Sequence, residues 1–100
     1  MIVDIDTGQR ATFAEVYQRS QAIKNRFYAY DQAIVSVIVP NSIAYIEYLL
    51  AVLDTNNIFS PIPYFISPND LKKVLSYIEP ICVVTSREDL LKEFAESYTM

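Results

Sequence analysis

Ala33-Ile34-Val35-Ser36-Val37-Ile38-Val39, closed by Pro40-Asn41-Ser42, is the stretch that decides the fold of this chain. Apolar, mostly β-branched residues run through it without alternation, so neither face is set aside for water. A strand buried on both faces reads this way, and such strands belong to parallel sheets covered by helices. Pro40 cannot continue a central ladder. Asn41 or Ser42 then offers a side-chain oxygen to the first turn of a following helix. That helix runs from about Ile43 to Asp54. Turned at about 100° per residue, it carries its charges, Glu47 and Asp54, on one narrow stripe and is apolar elsewhere. A helix of this kind is buried nearly all round.

The pattern repeats toward the carboxyl end. Asn56-Asn57 supplies a left-handed helix cap where glycine is missing, and Ile58 to Ile62 is the next strand. Ser67 caps a helix over 68–78, with Pro68 at its first position and Asp70 at the positive end of the dipole. Leu71, Val74, Leu75 and Ile78 form its inner face. Glu79-Pro80 ends it, and Ile81-Cys82-Val83-Val84-Thr85 is a third strand. Ser86-Arg87-Glu88-Asp89 opens a last helix over 87–97, with Leu90, Leu91, Phe94, Ala95 and Tyr98 inward.

Toward the amino end, Thr12 and Glu15 make a capping box for a helix over 13–28. Phe13, Val16, Tyr17, Ser20, Ile23 and Phe27 follow at helical spacing. Before it, Ile2-Val3-Asp4-Ile5 and a return strand near Arg10 to Phe13 flank the turn Asp6-Thr7-Gly8-Gln9, which reads as a hairpin. The fold class is therefore α/β: an N-terminal β-hairpin, then alternating α and β elements forming a small parallel sheet flanked by helices, a Rossmann-like scaffold. Residues 1–100 read as a single domain.

Composition narrows the function. Of 100 residues, 52% are apolar and 20% charged, which excludes disorder. The net charge of −4, with Lys and Arg scattered, argues against nucleic acid and anionic membrane surfaces as partners. No histidine is present, which removes Ser/His and Cys/His nucleophile pairs and His-containing zinc sites. The single cysteine, Cys82, cannot form an internal disulfide, and a reducing, cytoplasmic setting fits best. No signal-type start is seen, and no apolar run reaches the roughly 18 residues of a membrane span. The one glycine, Gly8, cannot build a phosphate-cradling loop of the Walker or dinucleotide kind.

Individual candidates for chemistry give way to packing and capping. Asn41 and Ser42 lie where open α/β sheets bind ligands, but turn and cap account for both. Asp4, Asp6 and Asp31 lack spacing to share an ion. Cys82 sits between Ile81 and Val83 as a core thiol, and Tyr45 and Tyr48 read as packing residues with satisfied hydroxyls. No catalytic, cofactor-binding or metal residue is assigned.

Taken in order, these elements resemble the opening of the adenylate-forming (AMP-binding) enzymes: acyl-CoA synthetases, luciferases and the adenylation domains of nonribosomal peptide synthetases. Asp6-Thr7-Gly8 before Thr12-Phe13-Ala14-Glu15-Val16 is similar to the family's Thr-Tyr-x-Glu-Leu helix start. Asp31, strand 34–39, Pro40-Asn41-Ser42, Tyr45 and Leu49-Leu50-Ala51 follow the family's Asp-x-Val-Ala-Ile-x-x-Pro-Asn-Ser … Leu-Leu-Ala run. Pro61-Ile62, Leu71 and 81–85 continue the register, so the resemblance spans about Val3 to Thr85. Asn56-Asn57 replaces a usual glycine, and Pro61-Ile62-Pro63-Tyr64 replaces a usual Pro-aliphatic-Asp-Pro, which marks a divergent member.

The resemblance implies an N-terminal subdomain. The family's phosphate loop, aromatic-Gly-Glu motif, ribose-binding Asp and catalytic lysine all lie beyond this stretch. The parent ligase would use ATP and Mg2+ to make an acyl-AMP, then pass the acyl group to CoA or a phosphopantetheine thiol. This chain alone is expected to be inactive and to hold no cofactor. Its expected partner is the remainder of the parent enzyme, or a second copy through the apolar helix face of Tyr45, Leu49 and Val52. The alternative is a stand-alone interaction or oligomerisation domain on the same scaffold. An unrelated flavodoxin-like regulator is a third reading, disfavoured by the missing acidic pocket and glycine turns.

Overall fold

Each long helix starts where a side-chain oxygen takes an orphan backbone N–H. In the computed structural model, which describes residues 2–3, 8–91 and the backbone of 97–99, the Thr12 hydroxyl accepts from the Glu15 N–H at 3.1 Å while the Glu15 carboxylate accepts from the Thr12 N–H at 3.0 Å. This capping box opens α1 (Phe13–Ile23), which tightens into a 3₁₀ turn at Lys24–Arg26 instead of continuing as α-helix to residue 28. Ser42 caps α2 (Ile43–Asp54) and Ser67 caps α3 (Pro68–Ile78), with Pro68 in the first turn. Ahead of them, β1 (Ile2–Val3) and β2 (Arg10–Ala11) pair antiparallel, and Gly8 takes φ +74° in the connection. The hairpin reading holds at both strands.

The expected parallel strands form as β3 (Ile34–Ile38), β4 (Ile58–Pro61) and β5 (Cys82–Thr85). β3 is central, with Val35 opposite Phe59 on one side and Cys82 on the other. The last predicted helix, 87–97, needs correction. α4 covers Glu88–Leu91, Phe94 and Ala95 lie outside the described residues, and Ser97–Thr99 forms β6, parallel to β5. Tyr98 thus belongs to a strand, giving a sheet ordered β4-β3-β5-β6. The open edge of β5 offers ladder partners that a local helical period does not compete with.

Alternation on β3 and β5 sends side chains to two cores. Val35, Val37, Cys82 and Val84 pack with Phe27, Tyr48, Ala51 and Val52 on one face. Ile38 and Val83 pack with Ile62, Leu71, Leu75 and Leu90 on the other. A third cluster joins Ala11, Val16 and Ile43, with Ile46 and Leu50 beside them. α2 therefore lies between the sheet and the layer of α1 and hairpin, which is why it is apolar nearly all round. Its polar stripe faces α1: Glu47 is buried 3.7 Å from Arg19, and Asp54 accepts from the Gln21 amide at 3.1 Å. Two expectations for α1 fail, since Phe13 and Tyr17 are exposed. Val16 and Ser20 are the side chains it buries, and Phe27 is buried just past the 3₁₀ turn.

Candidate functional site

A cleft of about 660 Å³ opens at the carboxyl ends of β3 and β4. Its position follows from the two prolines that end the strands. Pro40 closes β3 and turns the chain into α2, which presents Tyr45 from its first turn; Pro61 ends β4 and starts the turn through Ile62, Pro63, Tyr64 and Phe65. The carboxyl edge of a parallel sheet is where open α/β folds take ligands. The volume lies in the range of small-molecule sites, about 300–1,000 Å³.

Aromatic rings set the shape of the cleft. Tyr45 meets Phe59 edge to face, with centroids 5.4 Å apart, and Tyr64 meets Phe65 in the same manner at 5.4 Å. The Tyr64–Phe65 wall is tied down from the end of β5. There Thr85 donates to the Ile38 carbonyl at 2.8 Å and accepts from the Arg87 N–H at 3.0 Å. The Arg87 guanidinium donates to the carbonyls of Tyr64 and Ile66 and pairs with Asp89, which holds it firmly cationic. Arg87 is a positioning residue for this loop.

No lining side chain among the described residues is charged, and Asn41 is the one amide. The hydroxyls of Tyr45 and Tyr64 are the groups there that general acid–base catalysis can use, and no carboxylate or cation joins them among the described lining residues. The titratable groups displaced by burial sit between α1, α2 and the 3₁₀ turn instead. Burial pushes the Glu47 carboxyl up against the opposing pull of Arg19, and burial likewise pushes the Tyr48 phenol up. Tyr48 accepts from Arg26 at 3.3 Å. Neither lines the cleft.

The residues weighed in the sequence separate accordingly. Ser42 is the cap, accepting from the Tyr45 N–H at 3.3 Å, and Asn41 is left to line the cleft. Cys82 is a buried core residue, and Tyr48 packs with its hydroxyl engaged. Asp31 accepts from the Asn56 amide at 2.8 Å, while Asp4 and Asp6 lie outside the described residues. Among the described residues no three His, Cys, Asp or Glu side chains converge as metal ligands. Sequence reading passed over Tyr64, Phe65 and Arg87. The available signal was Pro61-Ile62-Pro63-Tyr64-Phe65, an apolar run between prolines that belongs to no periodic element.

Comparison with known proteins gives this arrangement a lineage. A family model described as AMP-binding enzyme matches residues 1–99. No curated protein matches the chain in sequence. Among solved structures, it is similar to NpsA-ThdA, an artificially fused Adenylation-PCP di-domain NRPS from Klebsiella oxytoca, with 15% identity, a TM-score of 0.83, and coverage of 98% of this chain and 19% of that one. ATP-bound MatB from Rhodopseudomonas palustris matches with 20% identity and a TM-score of 0.78, over 92% of this chain and 20% of that one. A benzoate CoA ligase from Burkholderia xenovorans matches with 16% identity and a TM-score of 0.74, over 94% of this chain and 21% of that one. The chain spans about a fifth of the length of these structures.

Proposed function

The chain belongs to the AMP-binding enzyme family, and from that premise we propose that it is the amino-terminal scaffold of an adenylate-forming ligase. Such a ligase activates a carboxylic acid with ATP, releasing pyrophosphate and leaving an acyl-AMP. It then passes the acyl group to coenzyme A or to the phosphopantetheine thiol of a carrier protein. On this reading these 100 residues carry out neither step. They shape one part of the larger fold, in a reducing, cytoplasmic setting compatible with the core placement of Cys82.

The observation that carries the proposal is a family match over nearly the whole chain combined with a cleft that has no charged lining residue. Phosphate recognition needs clustered backbone N–H groups or cations, and the one glycine, Gly8, sits in the hairpin connection. No helix among the described residues is long and apolar enough to cross a membrane.

The experiment is to read the DNA that follows the Met100 codon. An in-frame continuation carrying a glycine-rich, lysine-ending loop is the expected result. An immediate stop codon would overturn the ligase reading in favour of a stand-alone interaction domain on the same scaffold.

A further inference from the structure

The seam between α1 and α2 is the weakest join in the molecule. Its core is the smallest of the three: Ala11, Val16 and Ile43, with Ile2, Ile46 and Leu50 partly buried beside them. The polar groups at the seam add little to it. Ser20 is fully buried, but its hydroxyl donates to the Tyr17 carbonyl of its own helix at 2.6 Å. Glu47 Oε2 is buried without a hydrogen bond, and its ion pair with Arg19 spans 3.7 Å, longer than a hydrogen bond. Burying a carboxylate on those terms returns little stability. The bond from Gln21 to Asp54 is exposed to water. The far side of α2 is different, because Tyr48, Ala51 and Val52 enter the core beneath the sheet. Along the chain the attachment changes at the 3₁₀ turn, Lys24–Arg26. Around and after the turn, Ile23 and Phe27 pack into that same core, Arg26 donates to the Tyr48 hydroxyl, and the Asn57 amide donates to the Phe27 and Tyr30 carbonyls. The chain is pinned there and loosely held before it.

We propose that β1, β2 and α1 form a strap that opens from α2 as one unit, pivoting at the 3₁₀ turn, while the sheet and its two cores stay folded. Segments that open below the free energy of global unfolding are those with few buried apolar contacts to the rest. A helix of 11 residues is too short to persist alone in water. The backbone hydrogen bonds of α1 therefore open to solvent when it leaves α2. Opening bares Ile43, Ile46 and Leu50 on the outer face of α2 and returns Glu47 to water. The strap is a conformational device of this chain and is independent of the ligase reading.

Native-state hydrogen exchange of the 100-residue chain in a series of low urea concentrations tests the proposal. The amides of α1 are expected to exchange at least about tenfold faster than those of β3 and β5. They should share one urea dependence, smaller than that of the strands because less surface is exposed. Val16→Ala, at the centre of the seam, should speed exchange of α1 about tenfold. Leu71→Ala, in the core on the other face of the sheet, should speed β3 and β5 and leave α1 unchanged. Exchange of α1, β3 and β5 along a single urea dependence would overturn the proposal, since the chain then opens only as a whole. Exchange of α1 amide by amide, with no urea dependence, would overturn it as fraying. Acceleration of α1 by Leu71→Ala equal to that of β3 would do the same. The urea series on the unsubstituted chain decides the matter even where a variant does not fold.

Discussion

Asn57 carries more of the fold than its neighbours in sequence suggest. It is buried, its carbonyl oxygen accepts from the Ala33 N–H at 3.1 Å, and its amide donates within the set formed by the Phe27, Tyr30 and Thr55 carbonyls and the Thr55 hydroxyl. One side chain thus fixes the loop from α1 to β3 against the start of β4. Leaving such buried groups unpaired costs about 1–3 kcal/mol for each. Asn57→Ala should therefore lower unfolding stability in urea by about 2–4 kcal/mol, whereas Asn56→Gly should change it little. In the sequence the two asparagines read alike, as left-handed caps. Asn56 is that cap, at φ +61°. The role of Asn57 was not legible, because three of its partners, Ala33, Tyr30 and Phe27, lie 24, 27 and 30 residues away.

Glu47 and Glu15 make opposite contributions to the pH dependence. Burial raises the Glu47 carboxyl in the folded state, so the native protein holds this proton more tightly than the unfolded chain. Folding stability then falls as pH rises from the usual carboxylate range to the raised value of Glu47, and it stays lowered above. Glu15, held down chiefly by the Thr12 backbone N–H, contributes stability at neutral pH that is lost as pH falls through its lowered value. Urea unfolding across this range should show Glu47→Gln gaining on the parent protein as pH rises. A Glu47→Gln variant whose stability relative to the parent stays constant or falls as pH rises through this range would contradict this assignment.

At the scale of elements, the scarcity of glycine leaves a trace in the backbone. Gln32, Asn56 and Glu79 take φ of +51°, +61° and +53°, conformations in which an L side chain crowds the chain. Glu79 ends α3, its N–H donating to the Leu75 carbonyl at 2.9 Å, and its side chain is exposed. Glu79→Gly should keep the cap and raise stability by about 0.5–1 kcal/mol, read as a higher urea midpoint. At the opposite end of a helix, Thr12→Ala removes the α1 capping box and should cost about 1 kcal/mol by the same measurement.

The elements that were legible are those with a cap, a long apolar run or both. α2 meets both conditions, α3 has the cap and a clean apolar face, and β3 and β5 have the apolar run; the placement of all four follows the sequence closely. What was lost depended on neighbours in space. Phe13 and Tyr17 fit the helical period of α1, yet α2 reaches only as far round as Val16 and Ser20, so both stay in water. Ser97–Thr99 continues the helical spacing of Leu90 and Leu91 on paper, but pairing with β5 prevails. The cleft was half legible: Asn41 and Tyr45 were singled out, while Tyr64 and Phe65 lie in a segment without periodicity and Arg87 read only as the start of the last helix.

At the scale of the molecule, helices on both faces of the parallel sheet give two cores and leave the carboxyl ends of β3 and β4 open. On the proposed reading this architecture supports a larger site and leaves its chemistry to other parts of the fold. The cleft is built of rings and prolines, the displaced carboxyl is locked between helices, and the glycine is spent on a hairpin. The central claim is that these residues give scaffold rather than catalysis to an adenylate-forming fold. Titration calorimetry of the purified 100-residue chain with Mg-ATP, alone and with a panel of carboxylic acids, tests it most directly. The account predicts no saturable heat and no accompanying pyrophosphate exchange; low-micromolar ATP affinity in this chain would contradict it.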